Sequence, residues 1–181
     1  MPTVITHALL PLIGAAAVGP PVSTRLAVAG MACAILPDAD LISRWFDIPH
    51  TADLGHRGAT HTILFALLMG ALGAGGAASF RTSRAWAAGF LFLATLSHPL
   101  ADMLTDGGKG IMLFWPLSDK RFRWLVHPVD VSPIGVRSLI NGTLDDILLS
   151  ELVWLVLPAL LLAVLYRLVR RPYIDSGKGQ S

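Results

Sequence analysis

The sequence predicts an all-α membrane protein, a polytopic bundle of about five helices with one long loop between the fourth and fifth. Three observations predict it. Of 181 residues, 54% are hydrophobic and only 14% are charged, and the mean hydropathy is +0.62, a balance rare in a soluble domain of this size. Five apolar segments run along the chain, at residues 5–19, 24–36, 60–80, 85–104 and 147–169. Finally, Thr6-His7, Pro37-Asp38-Ala39-Asp40, His56-Arg57-Gly58-Ala59-Thr60-His61 and His98-Pro99-Leu100-Ala101-Asp102 fall at segment ends that alternate start, end, start, end. Consecutive segments crossing in opposite directions would bring all four clusters to one face.

The last three segments reach the ~20 residues that cross about 30 Å of hydrocarbon as a helix, so they read as transmembrane. The first two are shorter and read as a helical hairpin. Pro20 and Pro21 break the chain between them, and Ser23 or Thr24 serves as N-cap. At about 1.5 Å per residue, Asp38 stands roughly 20 Å beyond Arg25, and His98 roughly 21 Å beyond Arg84. Similar levels favour one shared site near one membrane surface. In the third segment Ala66, Gly70, Ala74 and Ala78 form a small-residue stripe for close helix approach. Pro158 predicts a kink in the fifth. The loop at 105–146 is longer than a compact bundle needs. Its stretches Ile111 to Trp115 and Phe122 to Val126 suit the membrane interface or a cap over the site. No polar linker divides the chain, which predicts a single membrane-embedded domain over 1–172 and a short polar tail over 173–181.

Composition also excludes partners. A net charge of +2 without a basic, aromatic-interleaved stripe argues against nucleic acid. The single Cys33, inside an apolar run, offers neither a disulfide nor a thiolate site and reads as a small buried hydrophobe. The N-terminus lacks the basic start of a cleaved secretory signal.

Ionisable residues at membrane depth are costly, and several converging on one face need a common partner. A divalent metal supplies it. His7, Asp38, Asp40, His56, His61, His98 and Asp102 are the candidate ligands. Imidazole and carboxylate without sulfur suit zinc, with manganese or iron as alternatives. Seven donors exceed the three or four protein ligands of one zinc, so either two ions bind or some residues act as supports or bases. Asp38 and Asp40, two apart after Pro37, predict a turn that aims both carboxylates to one side. His98 and Asp102 share a helix face, although Pro99 predicts a kink at His98. Arg57 is the natural clamp for a phosphate or carboxylate. Asp40 and Glu151 are candidate bases, and Asp145 and Asp146 read as helix N-terminal charges. Asp106 is read as a further ligand or a turn residue, His127 and Asp130 as surface residues, and His50 carries no motif.

With Leu104-Thr105, Gly107 and Trp115-Pro116-Leu117-Ser118, these clusters resemble the YdjM family over about residues 1–120, most specifically at His-Arg-Gly-x-Thr-His. That family is described as LexA-binding, inner-membrane-associated metal-dependent hydrolases. No residue here is assigned to a LexA contact. The resemblance implies a polytopic protein of the bacterial inner membrane with a hydrolase site. The His-x-x-x-Asp pair with upstream His and Asp is also similar to zinc-dependent phospholipase C enzymes. Together these lead to a membrane-bound hydrolase using metal-activated water on a phosphoester or other ester of a lipid or lipid-linked substrate. The competing class is a non-enzymatic metal-binding or transport protein. The sequence leaves the oligomeric state open. The 14 Lys and Arg divide evenly between the two faces. The arginines at 81 and 84 and those closing the fifth segment nevertheless favour a cytoplasmic C-terminus and an extracytoplasmic site.

Overall fold

The computed structural model describes residues 1–132 and 144–177, with side chains through Arg170. Among the described residues the regular structure is entirely helical, and pairing is limited to two isolated bridges, Thr105 with Val129 and Ile111 with Phe122. The helices are α1 (Val4–Val18), α2 (Thr24–Ile35), α3 (Ile63–Gly75), α4 (Arg84–Asp102), α5 (Leu144–Glu151) and α6 (Leu157–Gly177). The last two join through a π turn, Leu152–Val156, into one rod, which gives five rods among the described residues.

Helices α1 to α4 start by the same local device. Thr3, Ser23, Thr62 and Ser83 are extended N-caps whose hydroxyls accept from the amides of Thr6, Leu26, Phe65 and Trp86. Each such cap contributes about 1 kcal/mol and satisfies one of the four orphan donors at a helix start. At the other end of α1, whose last carbonyls have no helical partner, Arg167 and Arg170 of α6 donate to the carbonyls of Ala16, Ala17 and Val18. Cations belong at that end of a helix dipole.

Helix α4 packs against α1, α2 and α3. Leu26, Ala77, Ala87 and Leu91 form one buried cluster, with Cys33 half-buried against it. Close approach between α3 and α4 uses Ala66, Gly70, Gly73 and Ala77. A Cβ at Gly70 would meet the Ala88 carbonyl and one at Gly73 the Ala87 carbonyl. The packing stripe therefore departs from the expected Ala74 and Ala78, because a helix face advances by three as well as four residues.

The spanning segments differ from expectation. Two helical stretches are long and apolar enough to cross a membrane, Thr24–Phe46 and Leu144–Arg170. The first was expected to stop near residue 36, but a 3-10 helix, Leu36–Phe46, continues it. Pro37 stands in the first turn of this 3-10 helix, where the helix type changes. Helix α3 is shorter than expected, at 13 residues, because the chain turns repeatedly between Gly76 and Ser83. The kink expected at Pro158 takes the form of the π turn just before it. The extra residue per turn there absorbs the bond Pro158 cannot make. His98 and Pro99, where a kink was expected, both lie inside α4, which runs on to Asp102.

The long connection after α4 is ordered through Ser132. Ile111 and Met112 are buried and Met112 donates its amide to the Arg57 carbonyl, so this stretch covers the polar end of the bundle. Trp124, Leu125 and Val126 are exposed. Residues 133–143 of the expected loop lie outside the described residues.

Candidate metal centre

The four clusters meet at the polar end of the bundle. His7 comes from the first turn of α1, Asp38 and Asp40 from the 3-10 helix after α2, His61 from a short 3-10 turn (Ala59–His61) before α3, and His98 and Asp102 from the last turns of α4. His7, His61 and His98 are wholly buried, and Asp38, Asp40, His56, Arg57 and Asp102 nearly so.

The 3-10 helix changes what the Asp pair does. At three residues per turn, side chains two apart point about 120° away from each other rather than to one side. Asp38 faces His98 and His61, with its Oδ1 3.4 Å and 3.8 Å from their Nε2 atoms. Asp40 faces the other way and is saturated: Oδ1 accepts from His56 Nδ1 at 2.8 Å, and Oδ2 accepts from Thr60 Oγ1 at 2.8 Å, the Arg57 amide at 3.1 Å and His61 Nδ1 at 3.1 Å. Asp40, expected as a ligand or a base, thus has both oxygens engaged by protein donors.

These contacts fix the tautomers. His61 Nδ1 points at a carboxylate, and His98 Nδ1 lies 2.7 Å from the Ala34 carbonyl, which can only accept. In the neutral rings both Nδ1 atoms carry the proton, and both Nε2 atoms present lone pairs. Those lone pairs are 3.1 Å apart. Asp38 Oδ1 and Asp102 Oδ2 stand beside them, the latter 3.8 Å from His61 Nε2. Both oxygens of Asp38 and both of Asp102 lack a hydrogen-bond partner, as do both nitrogens of His7. The two Nε2 atoms, Asp38 Oδ1 and Asp102 Oδ2, the last also paired with Arg57 Nε, therefore gather in one buried group of acceptors that a cation would satisfy. Donors around a tetrahedral zinc, at about 2.0–2.1 Å from the ion, stand about 3.3 Å apart. The separations here, 3.1 to 3.8 Å, fit that shell.

The remaining candidates group around this centre. His7 stacks on His98 with ring centroids 3.8 Å apart, and its Nε2 is 3.4 Å from Asp102 Oδ1. Two triads, His7 with His98 and Asp102, and Asp38 with His56 and His61, each hold donor atoms close enough to share an ion. The buried groups can thus hold metal. Arg57, expected as a free clamp, is held by the protein: Nε pairs with Asp102 Oδ2 at 3.0 Å, Nη1 donates to the Gly107 carbonyl at 2.9 Å and Nη2 to Thr105 Oγ1 at 3.2 Å. Its backbone sits at φ +66°, a left-handed conformation uncommon outside glycine.

Glu151 is buried but stands apart from both triads. Its carboxylate accepts from the Thr3 amide, from Thr3 Oγ1 at 2.6 Å and from Thr6 Oγ1. Asp106 forms a turn contact, accepting from the Val131 amide at 2.9 Å. His127 and Asp130 enter neither triad, and Asp145 and Asp146 occupy the first turn of α5. Sequence reasoning missed the Ala34 carbonyl, which as a backbone group leaves no trace in residue type. It also missed Thr60, whose hydroxyl was legible as part of the His-Arg-Gly-Ala-Thr-His element.

Comparison with known proteins agrees with the family read from the motifs. The model of the YdjM inner membrane proteins matches residues 1–174. The chain belongs to the YdjM family. One curated relative of this YdjM protein, Inner membrane protein YbcI of Escherichia coli (strain K12), is 40% identical over 166 residues, covering 90% of this chain and 95% of the relative. No solved structure matches. The family match spans every ligand cluster and extends past the 120 residues on which the motifs were recognised.

A direct test of the support role of Asp40 follows. Asp40→Asn leaves the direct donors in place but weakens the hold on the His61 Nδ1 proton. Loss of such an outer carboxylate costs about 10–100-fold in metal affinity. Competition with a chromogenic chelator measures it. Unaltered affinity would remove Asp40 from the support of the centre.

Proposed function

We propose that this protein is a multi-pass metal-dependent hydrolase of the inner membrane, acting on a phosphoester or other ester of a lipid or lipid-linked substrate. The observation that carries the reading is the convergence of His61 Nε2, His98 Nε2, Asp38 and Asp102 in one buried group. Zinc suits this donor set best, with manganese or iron as alternatives. A bound ion supplies an activated water at neutral pH and polarises the ester oxygen.

The chain's own residues do the rest. Asp40 and the Ala34 carbonyl keep the two imidazoles in the ligating tautomer, and Arg57 holds Asp102. His7, with both nitrogens free of hydrogen bonds and its ring stacked on His98, is the group placed to hold or pass a proton. Asp40 and Glu151 are both saturated by donors and take positioning roles. The substrate class rests on an apolar groove of about 460 Å³ that reaches Asp40 and Thr60 and is lined by Ile42, Phe46, Leu54, Phe65 and Met69. A hydrocarbon chain fits such a wall, and membrane lipids are its nearest source. The donors gather at helix ends instead of spreading along the helices, which favours catalysis over conduction. All five rods cross the membrane in this reading, with the centre on the extracytoplasmic side and the C-terminus in the cytoplasm.

The test pairs metal analysis of the purified protein with a phospholipid and phosphoester hydrolysis screen, comparing wild type with His61→Ala and Asp102→Ala. Turnover by wild type alone is expected. Wild type that keeps stoichiometric metal yet hydrolyses nothing the variants fail to hydrolyse would leave a binding or transport protein.

A further inference from the structure

A second compartment, different in chemistry from the apolar groove, opens beside the centre. Its volume is about 350 Å³, and its polar lining is His50, His56, Arg57, Lys109, Arg121 and Ser132, with Met1 also on its wall. His56 and Arg57 belong to both this cavity and the metal centre, so a ligand here lies next to the ligating cluster.

Arg121 is held by neutral groups. Arg121 donates through Nη1 to the Gly110 carbonyl at 3.1 Å and the Arg57 carbonyl at 3.4 Å, and through Nη2 to the His50 carbonyl at 3.3 Å. Carbonyls fix a guanidinium without cancelling its charge. Burial, then the neighbouring Arg57 charge, holds the Arg121 pKa below its ordinary value, and Asp53 is the acidic group that acts the other way. Burial, followed by Arg44, His56 and Lys109, lowers that of His50. Lys109 is exposed between Gly108 and Gly110, both at positive φ. A Cβ at Gly108 would collide with the Arg57 guanidinium, so glycine lets this loop close over it. Among the described residues neither Lys109 nor Arg121 has an ion-pair partner, and the one carboxylate paired with Arg57 is Asp102. The cavity thus carries two cations in excess, Arg121 fixed by carbonyls and Lys109 exposed, around a space wide enough for a polyatomic anion.

We propose that this cavity is the subsite for a phosphate-class anionic group, with Arg121 and Lys109 as its specificity-determining contacts. A phosphomonoester brings about −1.5 to −2 charge at pH 7, which matches two uncompensated cations, whereas a carboxylate brings half as much. Asp40 lines the apolar groove and accepts from His56 and the Arg57 amide, both residues of this cavity, so the two compartments together suit an amphiphile with a phosphate head. As a substrate subsite the assignment rests on the hydrolase reading, but anion binding itself does not.

The test uses full-length protein in neutral detergent, stripped of metal by chelation, so that no turnover is involved. Isothermal titration with inorganic phosphate and with dioctanoyl phosphatidic acid, against dioctanoyl phosphatidylcholine as control, separates a free phosphate from a lipid head. Binding of inorganic phosphate is expected, with tighter binding of phosphatidic acid and little of phosphatidylcholine. Arg121→Gln and Lys109→Gln each weaken it by about tenfold, the loss of one charge-assisted contact. Arg121→Lys retains part of the affinity. Zinc content stays unchanged in all three variants. Equal phosphate affinity in wild type and the Lys109→Gln variant, whose side chain is exposed and bears no packing, would overturn the assignment. So would phosphatidylcholine binding as tightly as phosphatidic acid. If the variants lose phosphate affinity but wild type hydrolyses nothing, the subsite stands and the hydrolase falls. If wild type hydrolyses esters with the same KM as both glutamine variants, the hydrolase stands and the subsite falls.

Discussion

Alanine at His61 or His98 strips the purified protein of stoichiometric metal, whereas alanine at the exposed His50 leaves metal content as in wild type. The difference follows from where the lone pairs point. His61 and His98 each have one ring nitrogen committed to a protein acceptor and the other aimed at Asp38 and Asp102. His50 instead meets Arg44 at the surface. Elemental analysis after dialysis against zinc reads the result. A thermodynamic signature accompanies it. Ligand that binds only the folded state, present at 100 times its Kd, stabilises by about 2.7 kcal/mol, so wild type gains that much on metal addition and the alanine variants gain nothing. Asp38→Asn sharpens the contrast. In metal-free protein both Asp38 oxygens are buried without a partner, so removing the charge is neutral or stabilising. The same substitution abolishes the gain on metal addition. Thermal melts with and without zinc measure both effects, and equal zinc content in wild type and both histidine variants would dismantle the proposed shell.

Much of this centre was legible in the chain because helix ends are legible. Apolar runs mark helices, and residues of ligand type at alternating ends must come to one face if consecutive helices are antiparallel. His7, Asp38, His61, His98 and Asp102 do so. What could not be read was the conformation of the connections. Asp38 and Asp40 look equivalent in sequence, yet a 3-10 helix turns one toward the histidine cluster and the other toward His56 and Thr60. That choice depends on tertiary packing after α2, which no local pattern encodes. The same continuation lengthened the second apolar helix, since two carboxylates that end an apolar run in sequence do not end the helix that carries them. Arg57 was recognised as a cation near the ligands, but its partner Asp102 lies 45 residues further on, and only the fold decides between substrate and protein as its anion.

Glu151 separates a structural from a catalytic role most sharply. Its carboxylate closes the chain on itself, accepting one backbone and two hydroxyl donors from Thr3 and Thr6 at the start of α1. Negative charge at a helix N-terminus is favourable, and Thr3 is the cap of that helix. His7 lies one turn further on, its amide bonded to the Thr3 carbonyl. Where Glu151 holds Thr3, it therefore sets the position of the His7 ring against His98. Glu151→Ala leaves a buried amide and two hydroxyls without their acceptor, a loss of about 2–4 kcal/mol. Metal binding is expected to weaken with it as α1 shifts. Glu151→Gln is the discriminating change. The amide oxygen can serve the Thr3 N–H, and the hydroxyls can rotate to accept from the amide nitrogen, so the cost falls to about 1 kcal/mol. Chemical denaturation in detergent reads the two stabilities, and metal content and hydrolysis are measured on the same samples. A positioning residue predicts that the glutamine variant keeps both metal and turnover. A Glu151→Gln protein with normal stability and full metal content but no turnover would return Glu151 to the role of base.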